Sequence, residues 1–137
     1  MKGVILVSHG LLAKGMLDSA HLFLGNDLAQ IKACCLSADD SPEDFGAVIK
    51  EAIQEVDSGD GVVIFADLFG GTPFNQSLPL LSDKVDLIAG LNFAMLLEYL
   101  SKRTFEDVDV KAMVEVGQQG IVEAKTYMAS LSLDDDD

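Results

Sequence analysis

Positive charge is scarce in this sequence. Its 137 residues include 9 Lys and Arg against 23 Asp and Glu, a formal net charge of −14. No basic cluster is present to neutralise a phosphate backbone, which excludes nucleic acid as a partner. A basic protein surface would instead be steered towards the chain. Four of the acids form the terminal run Asp134 to Asp137, but the chain before them is acidic too. Long apolar runs are also missing. Val4-Ile5-Leu6-Val7 stops at Ser8-His9, far short of a signal-peptide core, and nothing approaches the roughly 18 apolar residues of a spanning helix. A cytoplasmic location is expected. Cysteine is limited to the adjacent Cys34 and Cys35, which lack the spacing of a disulfide framework or zinc site. On a strand they would point to opposite faces, as two small buried hydrophobes.

What is present is apolar, at 49% with a mean hydropathy of +0.28, and the length suits one domain. Strand-like and helix-like patterns alternate from the first residue, which predicts an α/β fold with a doubly wound, mainly parallel sheet. Strands are expected at Gly3 to Val7, Ala29 to Leu36, Val62 to Ala66 and Val85 to Ala89. Leu12, Met16, Leu17, Ala20, Phe23 and Leu24 form the stripe of a first helix ending at Gly25. Ser41-Pro42-Glu43-Asp44 combines a cap, a proline at the first helical position and acids in the first turn. It opens a helix with Phe45, Val48, Ile49, Ala52, Ile53 and Val56 on one face. Thr72-Pro73 repeats the cap-and-proline signature for a helix to about Leu81, Asn92 caps another through Lys102, and Thr104 starts a fifth carrying Phe105, Val108, Ala112, Met113 and Val116. Gly120 to Met128, with Ile121, Val122, Thr126 and Tyr127, reads as a final edge strand in competition with a continued helix. The domain is expected over residues 1–129, followed by a solvated, disordered acidic tail over 130–137.

Ligands of open α/β sheets gather beyond the carboxyl ends of the strands, where strand order reverses. Three segments fall there: Ser8-His9-Gly10, Asp67-Leu68-Phe69-Gly70-Gly71-Thr72-Pro73 and Gly90-Leu91-Asn92. A flavodoxin-like order of 2-1-3-4 would make the first and third strands neighbours and bring His9 to Asp67. The carboxylate would then fix the imidazole tautomer and leave the other nitrogen as a nucleophile. Gly70 and Gly71 would let the backbone approach an anion, and the helix start at Thr72 would offer free N–H groups. Such a site suits a histidine that temporarily carries a phosphoryl group. Singly, each element has an ordinary structural reading as a polar loop residue or turn. Their joint placement at adjacent strand ends favours the functional one. His21, inside the first helix, reads as structural or surface.

Gly3-Val4-Ile5-Leu6-Val7-Ser8-His9-Gly10, Asp67-Leu68-Phe69-Gly70-Gly71-Thr72-Pro73-Phe74-Asn75 and Ile88-Ala89-Gly90-Leu91-Asn92 together resemble the enzyme IIA component of the mannose/fructose/sorbose-type sugar phosphotransferase system. The resemblance implies that His9 accepts a phosphoryl group from the carrier HPr and passes it to a histidine of enzyme IIB. It also implies that Asp67 orients His9, that Thr72 and nearby amides hold the phosphoryl oxygens, and that membrane components IIC and IID associate indirectly. A homodimer exchanging its last, antiparallel strand is implied as well. One departure is Asn92-Phe93-Ala94-Met95, where the family commonly has proline in place of Ala94.

Other readings fit less well. A response-regulator receiver would need an acidic pair after the first strand, a flavodoxin a Ser/Thr-rich loop there, and a histidine phosphatase an arginine where Ser8 stands. A phosphorylation-state regulator of the same fold, docking on a transcription or metabolic partner, uses the same His9 and stays open. No metal or organic cofactor is expected, since Walker-type and His/Cys ligand patterns are absent.

Overall fold

The computed structural model describes residues 1–135; Asp136 and Asp137, the end of the expected tail, lie outside the described residues. Four strands, β1 (Gly3–His9), β2 (Ile31–Leu36), β3 (Val62–Ala66) and β4 (Val85–Ala89), form a parallel sheet in the order β2-β1-β3-β4. The helices are α1 (Leu12–Leu24), α2 (Pro42–Val56), α3 (Gly71–Ser77), α4 (Phe93–Lys102), α5 (Val110–Gln119) and α6 (Ala124–Asp135), with a 3-10 turn over Leu78–Leu80. The two central strands are continuously apolar because both of their faces are covered. Val4, Leu6, Val63 and Phe65 pack with Ala13 and Ala20 of α1 and with Met95, Leu96 and Tyr99 of α4. Ile5, Val7, Ile64 and Ala66 pack on the other side with Phe45, Ile49 and Ala52 of α2. Cys34 joins this second layer and Cys35 lies against the first, so their side chains part across the sheet as strand geometry requires. Cys34 is buried but Cys35 only half-buried.

Local signals placed several elements. The Ser41 hydroxyl accepts the N–H of Asp44, Pro42 occupies the first turn of α2, and the Asn92 side chain accepts the N–H of Met95 at the start of α4. Other expectations need correction. The third helix starts at Gly71 after Gly70, without a side-chain cap, and gives way to the 3-10 turn after Ser77; Thr72 sits inside the helix. Phe23 of the expected core stripe and Phe105 are exposed. The fifth helix starts at Val110, capped by Asp109, whereas Thr104 and Phe105 belong to the turn after α4. That turn follows from Arg103, whose buried guanidinium donates to the carbonyls of Lys2, Ala29 and Gln30 and ties the end of α4 to the base of the sheet.

The C-terminal segment is helical where an antiparallel edge strand was expected, so the sheet is parallel throughout among the described residues. Glu123 sets the helix start: its carboxylate accepts the N–H groups of Lys125 and Thr126 and the Thr126 hydroxyl. A strand needs a ladder partner, and residues 121–133 are all exposed and touch no sheet edge of their own chain. Residues 130–135 continue this helix in place of the expected disordered tail. Ile121, Val122, Tyr127 and Met128 consequently present apolar side chains to solvent.

Candidate functional site

His9 is the last residue of β1, and Asp67 follows β3 directly. The β1–β3 register pairs Val7 with Ala66, and the Asp67 N–H donates to the Val7 carbonyl at 3.1 Å. The two side chains therefore leave adjacent strands at the same level. Asp67 Oδ2 accepts the backbone N–H of His9 at 2.9 Å and lies 2.9 Å from His9 Nδ1, while Oδ1 accepts the Leu68 N–H at 3.0 Å. An ionised carboxylate only accepts, so the ring proton belongs on Nδ1 and the lone pair on Nε2. The Asp67 side chain is 7% exposed and the His9 side chain 44%. The carboxylate is thus buried and the imidazole open to solvent.

Gly70 and Gly71 have φ of +92° and +81° and turn the chain over the imidazole. A Cβ on Gly71 would fall 2.9 Å from His9 Cε1 and 3.0 Å from Nε2. The start of α3 therefore abuts the free nitrogen, and only glycine meets both the backbone angle and the contact. Helix starts leave N–H groups unpaired, and those of Gly71 and Thr72 donate to no protein acceptor among the described residues. Thr72 is half-buried in the same turn. The sequence-predicted residues His9, Asp67, Gly70, Gly71 and Thr72 thus share one end of the sheet.

Gly90-Leu91-Asn92 has a different use. Asn92 caps α4 and donates through Nδ2 to the Gly117 carbonyl at 2.7 Å, which fastens α5 beneath the site. Ala94 packs where a Cβ on Gly120 would lie 2.8 Å from its own, so close helix-end packing occupies the position of the family proline. His21 lies 2.9 Å from the Gly25 carbonyl through Nδ1 and closes the end of α1. Sequence reasoning had left aside the apolar residues beside the glycines and His9. Leu11, Leu12, Leu68 and Phe69, in the segments that follow His9 and Asp67, are exposed, and Phe69 leans on Phe74 with ring centroids 5.1 Å apart. The signal was large apolar side chains in loops of small and polar ones.

A hollow of about 420 Å³ lined by His9, Gly10, Leu11, Cys35, Leu36, Ser37 and Ala38 opens beside the ring. It contains no Lys or Arg. A larger one, about 460 Å³, lies by Met1, Lys2, Tyr99 and Arg103 at the opposite end of the strands. Arg103 is already engaged there by three carbonyls, and His9, at the other end of β1, is remote from it. No helix among the described residues is long and apolar enough to cross a membrane.

Residues 3–116 match the family described as PTS system fructose IIA component. The chain is 27% identical over 124 residues to the PTS system mannose-specific EIIAB component of Escherichia coli (strain K12). That match covers 86% of this chain and 38% of that protein, so the chain spans under two-fifths of the curated relative's length. Among solved structures, it is similar to the PTS IIA protein associated with the fucose utilization operon from Streptococcus pneumoniae, with a TM-score of 0.85 and 27% identity over 93% of this chain and 96% of that one. It is also similar to the phosphotransferase system component EIIA from Streptococcus agalactiae, with a TM-score of 0.82 and 28% identity over 92% and 99%.

Proposed function

Because the chain belongs to the family of the PTS system fructose IIA component, the mannose/fructose type, we propose that it is a phosphoryl carrier for sugar uptake, taking phosphate from phospho-HPr on His9 and passing it to enzyme IIB. The observation that carries this reading is the single oxygen, Asp67 Oδ2, engaging both the backbone N–H and Nδ1 of His9. It leaves Nε2 as the only ring atom with a free lone pair, and that nitrogen lies against Gly71. The Nε2 lone pair attacks phosphorus, the N–P bond to the donor histidine breaks, and the donor ring keeps the electron pair. Nδ1 retains its proton throughout, and Asp67 stabilises the positive charge that grows on the ring. The N–H groups of Gly71 and Thr72, with the Thr72 hydroxyl, receive the phosphoryl oxygens. Transfer to a IIB histidine repeats the same exchange in the other direction.

Residues 1–129 form the IIA domain in this reading. It works in the cytoplasm and reaches the membrane components IIC and IID only through IIB. The partners meet the apolar rim of Leu11, Leu12, Leu68 and Phe69. The family resemblance also supports a homodimer joined through the C-terminal segment. Two features favour it. Among the described residues the outer side of β4 carries no neighbouring strand, and beside it a groove of about 380 Å³ is lined by Phe69, Phe74, Leu87, Val110 and Val114. Ile121, Val122, Tyr127 and Met128, exposed in the single chain, supply apolar side chains of the kind that would fill it.

The test is phosphorylation with enzyme I, HPr and phosphoenolpyruvate. The expected product carries an acid-labile, base-stable phosphoryl group that His9→Ala removes. Label persisting in that variant would refute the assignment.

A further inference from the structure

Three polar or charged residues are buried among the described ones: Ser8, Ser77 and Arg103. Ser77 bonds the Pro73 carbonyl of its own helix, and Arg103 is spent on three carbonyls at the base of the sheet. Ser8 stands out. It is 0% exposed, in a strand whose other positions from Val4 to Val7 are all aliphatic, next to the candidate nucleophile. An apolar residue would continue the pattern of Val4 and Leu6, which pack on the same layer.

We propose that Ser8 is a positioning residue that sets the His9 ring through the β1–α1 turn; the proposal rests on His9 being the phosphoryl acceptor. Its hydroxyl donates to the Gly10 carbonyl at 3.0 Å and accepts the Ala13 N–H at 2.7 Å. One oxygen thus closes the turn on both sides of Leu11 and ties it to the first turn of α1. Gly10 is held a second time, its N–H donating to the Leu36 carbonyl of β2 at 2.8 Å with φ at +58°. His9 lies between Ser8 and Gly10, so the backbone after it is fixed by Ser8 and the backbone before it by the ladder to β2 and β3.

That fixation matters because Asp67 Oδ2 serves two His9 groups, each at 2.9 Å. If the turn relaxes, the His9 Cα shifts relative to β3. Both bonds cannot then keep their length from one oxygen, and the more mobile one, to Nδ1, lengthens. A ring freed from Asp67 exchanges tautomers, so Nε2 carries the proton part of the time and cannot attack. Ser8 touches neither the ring nor the incoming phosphoryl group. It acts through the turn alone, and misplacement of a reacting group by about 1 Å can slow a reaction by about 100-fold.

The test compares Ser8→Ala, Ser8→Thr and the wild type in two measurements. In unphosphorylated protein, the ¹⁵N shifts of the His9 ring are expected to be well separated in the wild type, with Nδ1 protonated and Nε2 not. Ser8→Ala should draw the two values together at neutral pH, and Ser8→Thr, which keeps the hydroxyl, should restore the separation. In transfer from phospho-HPr, Ser8→Ala should lower kcat about tenfold while KM stays within about twofold, with rescue in Ser8→Thr. Should Ser8→Ala fail to fold, Ser8→Cys keeps the volume with a much weaker hydrogen-bonding group, and the same convergence of ring shifts is expected. Wild-type ring shifts in a folded Ser8→Ala or Ser8→Cys protein overturn the proposal. A wild-type chain that takes no phosphoryl group, while the Ser8 variants show the ring-shift changes, overturns the carrier reading and leaves the positioning role standing.

Discussion

Gly71→Ala separates the chemistry of the site from the stability of the fold. Two costs can be worked from the structure. The first is conformational: at φ +81° a side chain loses about 1–2 kcal/mol relative to glycine. For a domain of this size that corresponds to a fall in Tm of about 3–6 °C. The second is steric, since the new methyl would lie 2.9 Å from His9 Cε1 and 3.0 Å from Nε2. These atoms are the far end of a half-exposed side chain, so the ring swings away and the steric cost to folding stays small. The functional cost does not. A swung ring gives up its 2.9 Å bond to Asp67, and a hydrogen bond to a charged group is worth about 1.5–3 kcal/mol. At 1.36 kcal/mol per factor of ten, transfer should slow by about 10- to 150-fold. The methyl also stands where the incoming phosphorus must approach Nε2, so this range is a lower bound. Rapid-quench measurement of phosphoryl transfer from phospho-HPr, beside a thermal melt of the same sample, reads both effects. A folded Gly71→Ala protein transferring at the wild-type rate would refute the placement of Nε2 under the glycine turn.

Asp67→Ala removes the acceptor of three N–H groups, those of Leu68, the His9 backbone and His9 Nδ1. Transfer should slow by about 100-fold in a folded protein; an unchanged rate would remove the orienting role. Burial pushes the Cys34 thiol up to about 11 from its ordinary 9. The folded state then holds a proton that the unfolded state releases, so stability is full below pH 9 and falls as pH rises to about 11. A rise from 9 to about 11 corresponds to about 3 kcal/mol, and Cys34→Ala should flatten that part of a denaturant-midpoint profile. An identical alkaline slope in the variant would count against it. In light scattering the chain should give twice its own mass, and a chain ending at Gln119 should give a single mass. A monomer at every concentration in the full chain would refute the dimer.

The elements legible in the sequence were those whose causes are local or topological. Ser41-Pro42 and Asn92 announce helix starts because the groups they satisfy lie within three residues. The central strands announce themselves by burial on both faces. His9 and Asp67 could be brought together from sequence because a parallel sheet with its switch point between β1 and β3 leaves the ends of those strands side by side. Thr72 misled because two glycines at positive φ begin α3 earlier than its cap-like residue. Thr104 misled because Arg103, reaching residues 29, 30 and 2 across the fold, turns the chain where the local pattern promised a helix. The C-terminal segment misled for a related reason. β-branched residues supply a strand's surface but not its partner, and within one chain Glu123 decides for a helix.

The scarcity of positive charge bears on the chemistry proposed for His9. An arginine or lysine at the phosphoryl oxygens would bind them through charge-assisted bonds about twice as strong as neutral ones. Such a group would hold the phosphoryl on the carrier as well as help it arrive. A relay needs the opposite balance, in which donor, carrier and acceptor histidines lie within a few kcal/mol of one another. Backbone N–H groups at the start of α3 orient the oxygens without adding a full charge, and no lysine or arginine lines the hollow beside the ring. Asp67 supports the same balance from the other side. Its carboxylate would favour the cationic ring formed if His9 is phosphorylated while its negative charge would repel the phosphoryl oxygens, so a bound group would be both accommodated and ready to leave. The −14 of the whole chain extends this logic to the partners. If the carrier reading holds, exposed apolar residues near His9 in an acidic molecule would select proteins with an apolar centre and basic surroundings, whose encounter is fast and whose release is not slowed by deeply buried ion pairs.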